Sequence, residues 1–115
     1  MYEYRGRVVR VIDADTLLLT LDLGFSLTIT DHFRLVGLNA PELATQEGKA
    51  AATWVANWLK SSVAVSFDVD PFPLIVRTQK DKREKFGRLL ATIDYRGANL
   101  NAELIAAGHA KPAKY

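Results

Sequence analysis

The chain has 115 residues, no cysteine, and a formal net charge of +2 from 15 basic and 13 acidic side chains. That length suits one domain with one core, residues 1–115, and the near-even balance of apolar and polar residues is that of a globular protein. Disulfides and thiolate metal sites are excluded, so any metal must rest on oxygen or imidazole, and the slight basic excess favours an acidic partner such as nucleic acid only weakly.

In chain order, residues 7–12 read as a first strand, carried by Val8, Val9, Val11 and Ile12. Residues 16–23 read as a second, with Leu17, Leu19 and Leu21 on one side. A turn is expected at Asp22-Leu23-Gly24-Phe25. The next strand alternates: Leu27, Ile29, Phe33 and Leu35 share one face, while Thr28, Thr30, His32 and Arg34 share the other. Arg34 is thereby predicted to point away from the core, towards solvent or a ligand. After Pro41 the period changes, and Ala51, Trp54, Val55, Trp58 and Leu59 predict a helix over 47–60, with Thr45 as its cap and Ser61-Ser62 as its end. The two tryptophans share a face and are expected in the core. Val63, Val65, Phe67 and Val69 alternate as a fourth strand, which Pro71-Phe72-Pro73 interrupts. Residues 74–77 read as an extension or a short extra strand, 79–86 as a charged loop and 88–95 as the fifth main strand. A short helix over 99–107 closes at Gly108, the usual residue past a helix end. Three strands, a helix, two strands and a helix make a mainly β fold with α, matching a five-stranded Greek-key barrel of the OB type.

The start, Met1-Tyr2-Glu3-Tyr4-Arg5, lacks the apolar stretch of a secretory leader, and no segment reaches the roughly 20 apolar residues of a membrane span. The cytoplasm is the expected location, with no membrane contact.

Three segments hold chemistry-bearing residues: Val11-Ile12-Asp13-Ala14-Asp15-Thr16, then Arg34-Leu35-Val36-Gly37-Leu38-Asn39-Ala40-Pro41-Glu42, then Lys85-Phe86-Gly87-Arg88. Each has an ordinary reading as a polar turn, a solvated strand residue or a turn entering a strand. Together, and in this order, they resemble the staphylococcal nuclease family, through its I-D-x-D-T, R-L-x-x-x-(D/N)-x-P-E and (Y/F)-G-R elements. The resemblance spans about residues 8–111, where Gly108-His109-Ala110-Lys111 is similar to the family's second-helix ending.

That resemblance implies the OB-type barrel and a metal-dependent endonuclease, cutting DNA with little sequence preference and leaving 3′-phosphate ends, with RNA open as a second substrate. It implies that Asp15, Asn39 and the carbonyl of Ala40 ligate a hard cation. Calcium is the ion of the family's type enzyme, with magnesium or manganese as the other readings. Asp13 would stand behind those ligands, Glu42 would be the general base, and Arg34 and Arg88 would grip the phosphate. The chemistry agrees: attack on a phosphodiester adds negative charge, which arginine forks and a cation offset. Three departures bear on the site. Asn39 stands where the type enzyme has aspartate, so weaker metal binding is expected. Phe86 replaces a nucleotide-contacting tyrosine. The sequence stops at Tyr115, short of a later tyrosine and of the family's C-terminal helix, so a homodimer as well as a monomer is weighed. A solvated loop is the favoured reading of the charged run 80–85 from the residues alone, with Lys82, Arg83, Lys85 and Phe86 as the nucleic-acid contacts of the functional reading. The alternative function is a non-catalytic nucleic-acid-binding module of the same ancestry.

Overall fold

The computed structural model describes residues 2–66 and 70–113, without the side chains of 61–66 and 80–82. Its elements are β1 (Tyr2–Asp13), β2 (Thr16–Gly24), β3 (Leu27–Leu35), β4 (Leu38–Asn39), α1 (Gln46–Ser66), β5 (Leu74–Arg83), β6 (Leu89–Tyr95), β7 (Ala98–Asn99), α2 (Leu100–Ala106) and β8 (Lys111–Pro112).

Period-two patterning sends Leu17, Leu19 and Leu21 of β2 inward, and all three are buried. The strands pair antiparallel in the order β3-β2-β1-β5-β6. A parallel pairing of β3 with β6, Phe33 opposite Leu89 through Leu35 opposite Ala91, closes the five into a barrel. Side chains fill its interior, as expected at this strand number: Phe33, Leu35, Leu74, Val76 and Ile93 are all fully buried with the leucines of β2. Ala51, Val55 and Leu59, four residues apart on α1, close one end. Trp54 and Trp58 pack against this core as expected, and Trp58 donates its indole N–H to Glu103 Oε1 at 3.1 Å, tying α1 to α2.

Two irregularities in β1 position the site. The register of β1 on β2 shifts between Val8 and Arg10 and again between Val11 and Asp13. Such bulges bend and overtwist a strand, and here they end it at a tight turn, Ala14-Asp15, whose Ala14 is fully buried.

The structure corrects several expectations. The fourth barrel strand is β5, not 63–69: Val63 and Val65 belong to α1, which runs on past Ser61-Ser62 to Ser66, and Phe67 and Val69 lie outside the described residues. A helix already nucleated adds one hydrogen bond per residue, and two alternating valines do not outweigh that. The predicted loop at 79–86 is strand as far as Arg83. The β2–β3 turn falls at Phe25 and Ser26, both with positive φ, as a two-residue hairpin turn requires. Leu27 and Ile29, predicted in the core, are exposed because β3 there extends beyond its pairing with β6. Arg34, predicted to face outward, is buried, with 7% of its surface exposed.

Candidate active site

The turn between β1 and β2 sets two carboxylates side by side. Asp15 accepts a bond from Thr16 Oγ1 at 3.2 Å on one oxygen, and from the Ala40 N–H at 3.2 Å on the other. Asp13 Oδ1 is buried and has no hydrogen-bond partner among the described residues. Burial, reinforced by the hydrogen bond to Asp15 and by its charge, pushes the Asp13 carboxyl up to about 6.

Arg34 comes from the end of β3, where Leu35 N–H donates to Asp15 O at 2.8 Å and holds strand and turn together. Its Nη1 donates to Leu35 O at 2.9 Å and stands 3.4 Å from Asp15 Oδ2. Its Nη2 donates to Leu38 O at 3.1 Å and to Asn39 Oδ1 at 2.7 Å. A buried guanidinium demands such acceptors, so Arg34 knits its own turn to Asp15 as well as placing positive charge there.

Arg88 enters from the turn before β6. Its Nε and Nη2 form a fork onto Glu84, at 3.1 and 3.0 Å, and Nη1 donates to Thr16 Oγ1 at 2.9 Å. Three of the five guanidinium hydrogens are used, leaving one on each terminal nitrogen. Glu84 Oε1 also accepts the backbone N–H groups of Phe86 and Arg88. The Arg88 hydrogen bond leads the causes that pull Glu84 down to about 2, and the same bond raises Arg88.

One bonded chain therefore runs from Arg88 through Thr16 to Asp15, and on to Arg34, Asn39 and the N–H of Ala40. Glu42 lies two residues further on, exposed, its carboxylate bonded to no described residue. Phe86 is 73% exposed, with the Lys85 ammonium 5.1 Å and the Arg88 guanidinium 5.5 Å from its ring centre. Arg83 is turned back on the fold, donating to Asp31 Oδ2 at 2.8 Å and Gly87 O at 2.7 Å. The side chain of Lys82 lies outside the described residues. Sequence reasoning missed Glu84 and the role of Thr16. The opposite charges of Glu84 and Arg88, four apart across Gly87, were the available signal for the first.

The donors around the turn suit an oxygen-seeking cation. Asp13 and Asp15 stand close together, and one buried Asp13 oxygen accepts no hydrogen bond among the described residues, which leaves a lone pair for a cation. Among the described residues no three acidic or imidazole side chains gather. A cation here would also need the Asn39 amide oxygen, backbone carbonyls and water.

Residues 32–115 match the family model described as staphylococcal nuclease homologue. The matched span includes Arg34, Asn39, Ala40, Glu42 and Arg88, and begins after the turn that carries Asp13 and Asp15. Comparison with curated proteins found no match.

Proposed function

Because the chain belongs to the staphylococcal nuclease homologue family, we propose that it is a divalent-metal-dependent endonuclease acting on DNA, and on RNA, with little sequence preference. The observation that carries this reading is the bonded chain from Arg88 to Asn39, which brings together three segments distant in sequence. A core needs no such gathering of charge, whereas phosphoryl transfer does.

In this reading Arg88 binds a non-bridging phosphate oxygen through its two remaining N–H groups, its plane fixed by Glu84. Arg34 holds Asp15 and the 35–39 turn in place and adds positive potential from beneath. Glu42 takes a proton from the attacking water. The water oxygen bonds to phosphorus as the bond from phosphorus to the 5′ oxygen breaks, and the 5′ oxygen takes a proton from solvent, which leaves a 3′-phosphate and a 5′-hydroxyl end. Asp15, Asn39 Oδ1 and the Ala40 carbonyl would hold the cation with Asp13 behind them, calcium being the first expectation and magnesium or manganese the others. When bound, that ion supplies Lewis-acid polarisation of a phosphoryl oxygen.

A second reading, a nucleic-acid-binding module without catalysis, is favoured by one observation: Asn39 Oδ1 is occupied by Arg34 at 2.7 Å. Cleavage of plasmid and single-stranded DNA with calcium, magnesium, manganese or chelator, beside Glu42→Ala and Arg88→Ala, separates the two. A nuclease cuts only with metal and loses roughly a hundredfold or more in rate in each variant. DNA binding without cutting under every condition establishes the second reading.

A further inference from the structure

Among the described residues no side chain holds the exposed carboxylate of the general base assigned above, so its backbone decides its placement. That backbone is gripped by the start of α1. Thr45 precedes the helix, and its hydroxyl accepts the Gly48 N–H at 3.0 Å, which makes it the cap. The same hydroxyl donates to the Glu42 carbonyl at 2.7 Å, and the Thr45 N–H donates to that carbonyl at 3.0 Å. Gly48 completes the grip by being small. A Cβ there would stand 1.8 Å from Glu42 O, 2.4 Å from Glu42 C and 2.9 Å from Pro41 O. All three atoms are backbone, so no rotamer change relieves the contact. Glycine in a first helical turn gives up helix propensity relative to alanine. Its φ is not positive, so here it serves close approach rather than an unusual conformation.

Resting on the reading of Glu42 as general base, we propose that Thr45 and Gly48 are positioning residues for it. The first turn of α1 acts as a backbone clamp that fixes where the Glu42 carboxylate stands relative to the phosphate. Restoring ordinary contact around a methyl group at position 48 moves the Pro41-Glu42 backbone by roughly 1.5 Å, a displacement of the size that costs about a hundredfold in rate.

The test uses Gly48→Ala, Thr45→Val and Thr45→Ser, each alone and with Glu42→Ala, assayed on single-stranded DNA with the metal that supports cleavage. Binding of the same oligonucleotide in chelator and the Glu42 carbonyl NMR shift are measured alongside. The expected result is a kcat about a hundredfold lower for Gly48→Ala and about tenfold lower for Thr45→Val, with oligonucleotide affinity unchanged. Thr45→Ser should stay within about twofold, since it keeps the hydroxyl. The carbonyl shift should move in the first two variants and not in the third. In the Glu42→Ala background none of the three should slow cleavage further. The clamp is overturned if Thr45→Val moves the carbonyl shift but cuts at the wild-type rate, or if Gly48→Ala slows the Glu42→Ala protein by the same factor as the wild type. The serine and valine pair decides the matter even if Gly48→Ala does not fold. Should Glu42→Ala itself cut like wild type, the assignment of the base fails, and the clamp as a catalytic device with it. An inactive Glu42→Ala beside fully active Thr45→Val and Gly48→Ala sinks the clamp alone.

Discussion

Asp13→Asn tests whether the fold gives up stability to keep a second carboxylate beside Asp15. The Asp13 carboxyl titrates at about 6 rather than its ordinary 3.8, because it is buried and faces Asp15. A raised acid pKa means that the folded chain holds its proton more tightly than the unfolded chain does. Folding stability therefore falls as pH rises from about 4 to about 6, and the loss is complete above that. Because Asp13 is only half-buried and solvent screens its charge, the penalty at neutral pH is on the order of 1 kcal/mol, well under the full conversion of the shift. The amide carries no charge to desolvate and can donate towards Asp15. Asp13→Asn should thus raise the metal-free stability by about 1 kcal/mol at pH 7, a rise in Tm of roughly 4 °C. The gain should vanish below about pH 4. Urea unfolding of both proteins in chelator, from pH 3.5 to 8, reads this directly. A gap that is constant with pH, or a variant no more stable at pH 7, refutes the reasoning. The same substitution should weaken divalent-metal binding, since it removes a charge next to the ligands.

Three further outcomes are expected. Asn39→Asp should tighten divalent-metal binding by about tenfold, since aspartate keeps the oxygen that Arg34 holds and adds charge; calorimetry giving equal or weaker affinity contradicts this. Glu84→Gln should cost about 1 kcal/mol at pH 7, a modest figure because solvent reaches both partners. Glu84 is pulled down to about 2, so this contribution is present above about pH 4.5 and is lost as pH falls through 2; a difference in Tm that persists at pH 2 argues against it. Asn101→Ala should cost about 3 kcal/mol in urea unfolding, because it orphans the Ile93 N–H and the Val36 carbonyl and removes a bond to Ala91 O. A loss below about 1 kcal/mol would show that these groups find other partners.

The sequence revealed most where one period held over several residues. The β2 leucines, the Ala51–Val55–Leu59 stripe and the Thr45 cap all stand where the pattern put them. It misled where the pattern was short or where tertiary pairing decided. Val63 and Val65 alternate for only two turns of the pleat and were taken up by α1. The charged run at 79–83 looks like loop, yet forms the end of β5. Arg34 shows the limit of period two as a guide to burial. The pattern gave its side of the strand, but that side is covered by the 35–39 turn that Arg34 itself holds together. Within the candidate site, the arginines and carboxylates were legible as motifs. Thr16 was legible as a motif residue but not in its role, and Glu84 and Gly48 were not legible, because these roles rest on contacts made only in the folded chain.

The parallel seam between β3 and β6 has a kinetic consequence. Only three residue pairs close it, and they lie beside the site: Arg34 is itself in the seam, and Arg88 directly precedes Leu89, which faces Phe33. A slip of one residue would carry the two arginines about 3.3 Å apart along the strands. The seam also joins segments far apart in the chain, the kind of contact that forms late because loop closure precedes any reward. A chain that has collapsed but not yet zipped this seam would have its helices and hairpins without Arg34 and Arg88 gathered at the β1–β2 turn. Under the proposed function, the return of DNA binding during refolding should therefore lag behind the return of secondary structure and follow barrel closure as its clock.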